Sequence, residues 1–345
     1  MLSRSLVLKV TSWGWMERLV KKSFLFRPMV KRFVAGNTLG EALDICFALS
    51  SRGFLLSLDL LGENVKSVDE AITAKNTYID MLGAIDAKGL NPLPRDGSCM
   101  TEEVGGGRQA SSSTPQPPSS DTNIPRRGAS ERTNISIKLT QCGFDQGDEL
   151  AERHYREVLA EANKRGNFVR VDMEDSRYTE RTVSMIERVW PDFKNTGTVL
   201  QTYLYRTPKD MDRMIALGAR IRIVKGAYAE PKEIAYPSKK DVDRVYVELA
   251  KRALKEVNYP AIATHNERIL EEIKAFVSAE GIDRASFEFQ MIYGVRRDLQ
   301  EKLRAEGYNM RIYVPFGEAW YPYFTRRLAE RPANFFFLFK SLFKG

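Results

Sequence analysis

The feature that most constrains this chain is a regular switch between short β-branched runs and longer amphipathic stretches. Candidate strands lie at 54–62 (FLLSLDLLG), 134–140 (NISIKLT), 168–174 (FVRVDME), 198–205 (TVLQTYLY), 220–228 (RIRIVKGAY), 261–266 (AIATHN), 287–294 (FEFQMIYG) and 310–317 (MRIYVPFG). Helical periodicity separates them at about 68–87, 148–165, 177–190, 208–217, 239–257, 268–280 and 296–306, with an eighth pattern from 320 onward. Ser67 and Ser238 are candidate N-caps, and Gly166, Gly218, Gly281 and Gly307 candidate stops. Eight strands, each followed by a helix, is the count that closes a parallel sheet on itself. The expected class is therefore α/β, a (β/α)8 TIM-type barrel over 54–345 with a helical arm over 1–53. An open doubly wound sheet is the runner-up, but no G-x-G-x-x-G turn follows any strand. Residues 36–53 predict a helix leading into the first strand.

The rhythm breaks once. Residues 91–134 hold six of the fifteen prolines, many Ser and Gly, and no aromatic residue. Such a stretch buries too little apolar surface to offset its ordering entropy, which predicts a disordered insertion. It leaves from the N-terminal face of the barrel, opposite the face where this fold carries out chemistry, so it is expected to be catalytically silent.

Net charge is +8, and its location decides its meaning. Residues 1–35 contain eight basic side chains against Glu17 alone, which leaves the body near neutral. Trp13, Trp15, Phe24, Phe26 and Phe33 lie among those bases. Such an arm suits an anionic lipid surface, or else packs its aromatics on the main domain. Lys9 interrupts the early apolar run and no small-residue cleavage site follows it, so a signal peptide is not expected. No run of about 18 uncharged apolar residues is present to span a bilayer. The three cysteines, Cys46, Cys99 and Cys142, lack paired spacing, and the two histidines are too few for a multi-histidine metal centre. These counts point to a reducing cytoplasm and no resident metal.

Polar residues near the C-terminal ends of barrel strands are the functional candidates. Here they are Lys138; Asp172, Glu174 and Asp175; Gln201; Arg222, Lys225 and Tyr228; Thr264, His265 and Asn266; Glu288 and Gln290; and Tyr313, with Arg326, Arg327 and Glu330 on the last helix. Singly, each has a plain structural reading: Asp172 with Lys138 as a buried pair, His265 as a core histidine, the arginines as a solvated face. Clustered at one end of seven strands, they imply a ligand. Paired arginines suit a carboxylate, and Lys225 beside Gly226 and Ala227 suits a phosphate. Asp172 and Glu174, two apart, are expected to face the same side. These residues alone leave open a flavin enzyme, a Schiff-base aldolase using Lys138, and a lipid- or nucleic-acid-binding protein driven by the basic arm.

At those residues the chain resembles the proline dehydrogenase family, including the equivalent domain of bifunctional proline utilisation enzymes. The matching segments are SIKLTQCG (136–143), VRVDMED (169–175), LQTYLYRT (200–207), RIVKGAY (222–228), ATHN (263–266), FEFQMIYG (287–294) and RIYVPFGEAWYPYFTRRLAERPAN (311–334). The resemblance implies FAD-dependent oxidation of L-proline to 1-pyrroline-5-carboxylate, with electrons passing to a membrane quinone. It assigns substrate binding to Lys138, Tyr313, Arg326, Arg327 and Glu330, and the catalytic centre to Asp172 and Arg222. Flavin contacts fall to Met173, Gln201, Lys225, Gly226, Ala227, Thr264 and His265. Without the length of an aldehyde dehydrogenase half, the chain is expected to hand its product to a separate pyrroline-5-carboxylate dehydrogenase. The implied location is cytoplasmic, peripheral on the inner face of the membrane, with no nucleic-acid partner.

Overall fold

The structure, a computed structural model, describes Val20 and residues 27–91 and 131–329. Eight parallel strands close in sequence order: β1 Leu55–Leu60, β2 Thr133–Ile137, β3 Val169–Val171, β4 Thr196–Gln201, β5 Arg220–Val224, β6 Ala261–Ala263, β7 Glu288–Ile292 and β8 Asn309–Phe316. The seam pairs β1 with β8 from Leu55↔Arg311 to Leu60↔Phe316. Among the elements described, α1 Arg27–Phe33 and α2 Leu39–Ser50 precede the barrel. One helix then follows each strand: α3 Val68–Ala87, α4 Asp148–Lys164, α5 Ser176–Val189, α6 Thr207–Leu217, α7 Lys239–Glu256, α8 Glu267–Ala279, α9 Arg297–Ala305 and α10 Trp320–Ala329. This is the (β/α)8 barrel that the alternation predicts.

Local signals act where expected. Ser67 Oγ accepts the Glu70 N–H at 3.1 Å and Ser238 Oγ the Lys240 N–H at 3.2 Å, capping α3 and α7. Gly218 ends α6 in the left-handed conformation, φ +72°. The strands stop two to four residues short of several expected C-terminal ends, and the residues left over form the loops that carry the polar cluster.

Alternation along the strands sorts two environments. Leu56, Leu58, Ile135, Ile137, Ile221 and Ile223 join the apolar layer between sheet and helices. Their strand neighbours Ser57, Ser136 and Arg222 meet inside the barrel, where Arg222 Nη2 donates to Ser136 Oγ at 3.2 Å. At the N-terminal end the interior is charged and sealed. Arg311 Nε donates to Glu288 at 2.8 and 2.9 Å, Arg220 Nη1 to Glu131 at 3.0 Å, and Arg311 Nη2 lies 3.3 Å from Glu131. Arg311, Glu288, Glu131 and Arg170 are all 0% exposed.

Glu131 belongs to the segment expected to be an insertion, yet it helps to close this floor. Residues 92–130, and with them Cys99, lie outside the described residues. The Arg132 N–H donates to the Asn91 carbonyl at 3.0 Å, so the two described ends meet. Of the arm, Val30, Phe33 and Val34 pack against Trp320, Tyr321 and Phe324, and the Ala35 N–H donates to the Pro315 carbonyl at 2.8 Å. Gly294 (φ +75°) lies under α1, where a Cβ would meet the Arg32 carbonyl oxygen at 1.6 Å. Trp13, Trp15, Phe24 and Phe26 lie outside the described residues. Among those described, no helix is long and apolar enough to cross a membrane.

Candidate active site

The loops that follow the strands surround one cavity of about 1060 Å³ at the C-terminal end of the barrel. Lys138, Asp172, Met173, Gln201, Arg222, Lys225, Gly226, Ala227, Thr264, His265, Tyr313, Arg326 and Arg327 all line it. Glu330 lies outside the described residues. The cavity draws on all eight strands and the last helix, and gathers most of the cluster read from the strand ends.

Its floor is a set of fixed charges. Arg222 Nη1 donates to Asp172 Oδ1 at 2.8 Å, and the Tyr313 hydroxyl donates to Asp172 Oδ2 at 2.6 Å. The Arg222 guanidinium carbon stands 5.3 Å from the Tyr313 ring centre. Burial, then the Asp172 charge, pushes the Tyr313 phenol well above its ordinary value, so it remains a hydroxyl donor. Lys138 bonds Asp59 Oδ1 at 2.8 Å. Burial works against the Lys138 charge, but Asp59 and Asp172 more than offset it and hold the ammonium above its usual range.

The plain structural reading of Asp172 and Lys138 as one buried pair does not hold: Asp172 pairs with Arg222, and Lys138 with Asp59. Asp59 sits inside an apolar run, LLSLDLLG, where it reads as one polar break in a strand; the signal was its place near that strand's C-terminal end. Glu174 does not share a face with Asp172, because β3 ends at Val171 and the strict alternation ends with it. It turns away from the cavity to accept the Thr140 hydroxyl at 2.5 Å and the Thr140 N–H at 3.2 Å. Burial pushes its carboxyl up to about 7, against the pull of those bonds and of Lys138. Glu288, a strand-seven candidate, starts β7 and belongs to the sealed floor.

The rim is built from loops. Arg326 on α10 pairs with Glu63, on the β1–α3 loop, at 3.0 Å. Burial disfavours the Arg326 charge, but Glu63 leaves its pKa raised. Glu63 escaped the sequence reading because it stands beyond the strand in a loop with no motif. The Arg327 guanidinium carbon lies 5.5 Å from the Tyr323 ring centre. Across the mouth, Lys225 Nζ donates to Asp243 Oδ1 at 2.5 Å, and Lys239 shares that carboxylate at 2.8 Å. Burial lowers the Lys225 pKa despite Asp243. Gly226 (φ +109°) is packed on Tyr203, whose ring would lie 2.3 Å from a Cβ, so no side chain fits there. The Ile292 N–H donates to His265 Nε2 at 2.9 Å, which makes Nε2 an acceptor and assigns the ring proton to Nδ1. Gln201 Nε2 is spent on the Glu174 carbonyl at 2.8 Å.

A family model for proline dehydrogenase matches residues 42–338. Over its whole length the chain is 36% identical to the proline dehydrogenase of Deinococcus radiodurans, covering 99% of that protein. It is 32% identical to proline dehydrogenase 2 of Bacillus subtilis, covering 100% of each. Among solved structures, proline utilization A from Bdellovibrio bacteriovorus, inactivated by N-propargylglycine, superposes with a TM-score of 0.72 at 26% identity. That match covers 91% of this chain and 34% of the other, so the chain spans about a third of that larger protein. The eight-stranded barrel, the full-length identities and the family match converge: the chain belongs to the proline dehydrogenase family and is an oxidoreductase of proline metabolism.

Proposed function

We propose that this proline dehydrogenase oxidises L-proline to 1-pyrroline-5-carboxylate with a bound FAD, and that the electrons go on to a membrane quinone. The observation that carries this reading is the convergence of Arg326, Arg327, Lys138, Tyr313 and the Arg222–Asp172 pair on a single cavity.

The residues present fit a flavin. A volume of about 1060 Å³ exceeds what one small amino acid fills. Arg222 Nε is buried without a protein partner beside it. Lys225 supplies a cation, and Gly226 and Ala227 supply backbone without bulk, as a pyrophosphate requires. Met173, Gln201, Thr264 and His265 complete that side of the cavity. When bound, the flavin would supply the two-electron acceptor for the hydrogen leaving the ring carbon next to nitrogen.

The chain's own groups would do the rest. Arg326 and Arg327 would take the proline carboxylate, with Glu63 keeping Arg326 in place. The Tyr313 ring, anchored through its hydroxyl to Asp172, would pack against the proline ring and reject hydroxylated analogues. Arg222, pinned by Asp172 and the two serines, would keep a positive charge at the reacting end. Fixing the ring in this way turns binding energy into orientation. A Schiff-base reaction at Lys138 is disfavoured, because Asp59 and Asp172 stabilise its ammonium and a nucleophilic amine must be neutral. The basic arm is proposed to touch the inner face of the cytoplasmic membrane, and a separate pyrroline-5-carboxylate dehydrogenase to take the product.

Anaerobic addition of L-proline to the FAD-loaded protein tests this directly. The flavin absorbance should bleach, and prior treatment with N-propargylglycine, also a secondary amine bearing a carboxylate, should prevent it. Protein that takes up no flavin, or bound flavin that proline leaves oxidised, would overturn the proposal.

A further inference from the structure

Three loops that follow neighbouring strands are joined by a short chain of hydrogen bonds, buried at Glu174 and Thr140 and reaching the surface at Asn64. Glu174, after β3, accepts the Thr140 hydroxyl at 2.5 Å and the Thr140 N–H at 3.2 Å. Thr140, after β2, in turn accepts the Asn64 N–H on its own Oγ1 at 3.0 Å. Asn64, after β1, is one residue from Glu63, the carboxylate that pairs with Arg326 at 3.0 Å. Thr140 is 0% and Glu174 4% exposed. Asn64 has φ +55°, one of three described non-glycine residues in the left-handed region. Asparagine tolerates that conformation better than most residues, but it still needs a local bond to hold it there. The Tyr178 hydroxyl adds a longer contact to Asn64 Oδ1 at 3.3 Å while bonding Asp145 at 2.6 Å.

We infer that Thr140 and Glu174 are positioning residues: the buried carboxyl orients the Thr140 hydroxyl, which pins the left-handed turn at Asn64 and so sets Glu63 against Arg326. The hydroxyl has one proton and two lone pairs. Donating the proton to Glu174 turns a lone pair towards Asn64, so each bond in the chain directs the next. A substrate carboxylate arriving at Arg326 must share that guanidinium with Glu63, and a misplaced Glu63 leaves the arginine free to swing. The inference rests on the proposal that Arg326 binds the substrate carboxylate.

The test is a kinetic cycle on the flavin-loaded enzyme. Thr140→Val keeps the shape and removes the hydroxyl. It should raise the proline KM about five- to tenfold, the change expected from one lost hydrogen bond, with a much smaller effect on kcat and none on flavin content. Thr140→Ser should restore KM. In a Glu63→Gln background the same Thr140→Val change should add little, because both act through one contact. Should Thr140→Val fold poorly, the exposed turn offers a second route. Asn64→Ala, which resists a positive φ, should raise KM, and Asn64→Gly should not. Additive effects in the cycle, an unchanged KM in Thr140→Val, failure of serine to rescue, or equal KM values for Asn64→Ala and Asn64→Gly would each overturn the relay. If Arg326→Met itself leaves KM unchanged, the carboxylate proposal fails instead, and the two failures are distinguishable.

Discussion

The two ends of the barrel use the same chemistry to opposite ends. At the N-terminal end, Arg311, Glu288, Glu131 and Arg220 form a network of bidentate and single ion pairs from which water is excluded. At the C-terminal end, Arg222 with Asp172, Lys138 with Asp59, and Arg326 with Glu63 repeat the pairing around an open cavity. Residue type therefore says little about role. What separates the ends is which groups a ligand can reach, and that follows from strand direction: side chains at strand starts close the floor, and the loops that follow strand ends leave a mouth.

The sharpest way to break this contrast is at the floor. Glu288→Gln leaves Arg311 with a diminished partner in a fully buried site, and should cost about 3–5 kcal/mol of stability. Denaturant unfolding should register that loss, and the proline KM of the folded fraction should stay near wild type. A changed KM with unchanged stability would erase the distinction between the ends. The matching experiment at the mouth is Arg327→Met, expected to raise the proline KM by an amount equivalent to about 2–5 kcal/mol if the carboxylate is bound there. Flavin content and midpoint of unfolding should hardly move, and parallel loss of proline affinity and flavin would reject the clamp.

Glu174 sharpens the comparison from between the two ends, being buried yet close to the mouth. Its carboxyl is raised from 4.5 to about 7 chiefly by burial. A carboxyl raised in the folded state contributes stability that is complete below pH 4.5 and is lost as pH rises through about 7. The span corresponds to about 3 kcal/mol. Glu174→Gln should flatten that part of the stability–pH curve, and an unaltered slope would assign the titration elsewhere. The smallest effect belongs to the outside. Arg244 and Glu248 pair at 2.9 Å on α7, both more than half exposed, and Arg244→Ala should leave the midpoint of unfolding where it is, because water and salt screen such a pair.

Much of this is legible in the sequence. The strand count, the helices and the convergence of Asp172, Arg222, His265 and Arg327 on one cavity follow from two periodicities and one rule about barrel ends. Less legible were contacts made across the barrel. Whether Lys138 meets Asp172 or Asp59 depends on side-chain reach between strands, which no single segment encodes. Glu174 leaves the face that its spacing from Asp172 predicts, because alternation holds only while a strand lasts, and β3 ends at Val171. Glu131 was hidden by its neighbourhood: a Ser-, Gly- and Pro-rich stretch gives no hint that its last residues plug the floor.

The bond between the Arg132 N–H and the Asn91 carbonyl has one more consequence. Asn91 is also gripped by Arg165 and Asn167, its Nδ2 reaching the Arg165 carbonyl at 2.5 Å and its Oδ1 accepting from Asn167 at 2.9 Å. The polypeptide thus departs and returns through a single clasp on the side away from catalysis. Closure entropy grows slowly with length, by about 0.6 kcal/mol per doubling. By that measure, lengthening or shortening the connection between Asn91 and Arg132 should cost the fold little.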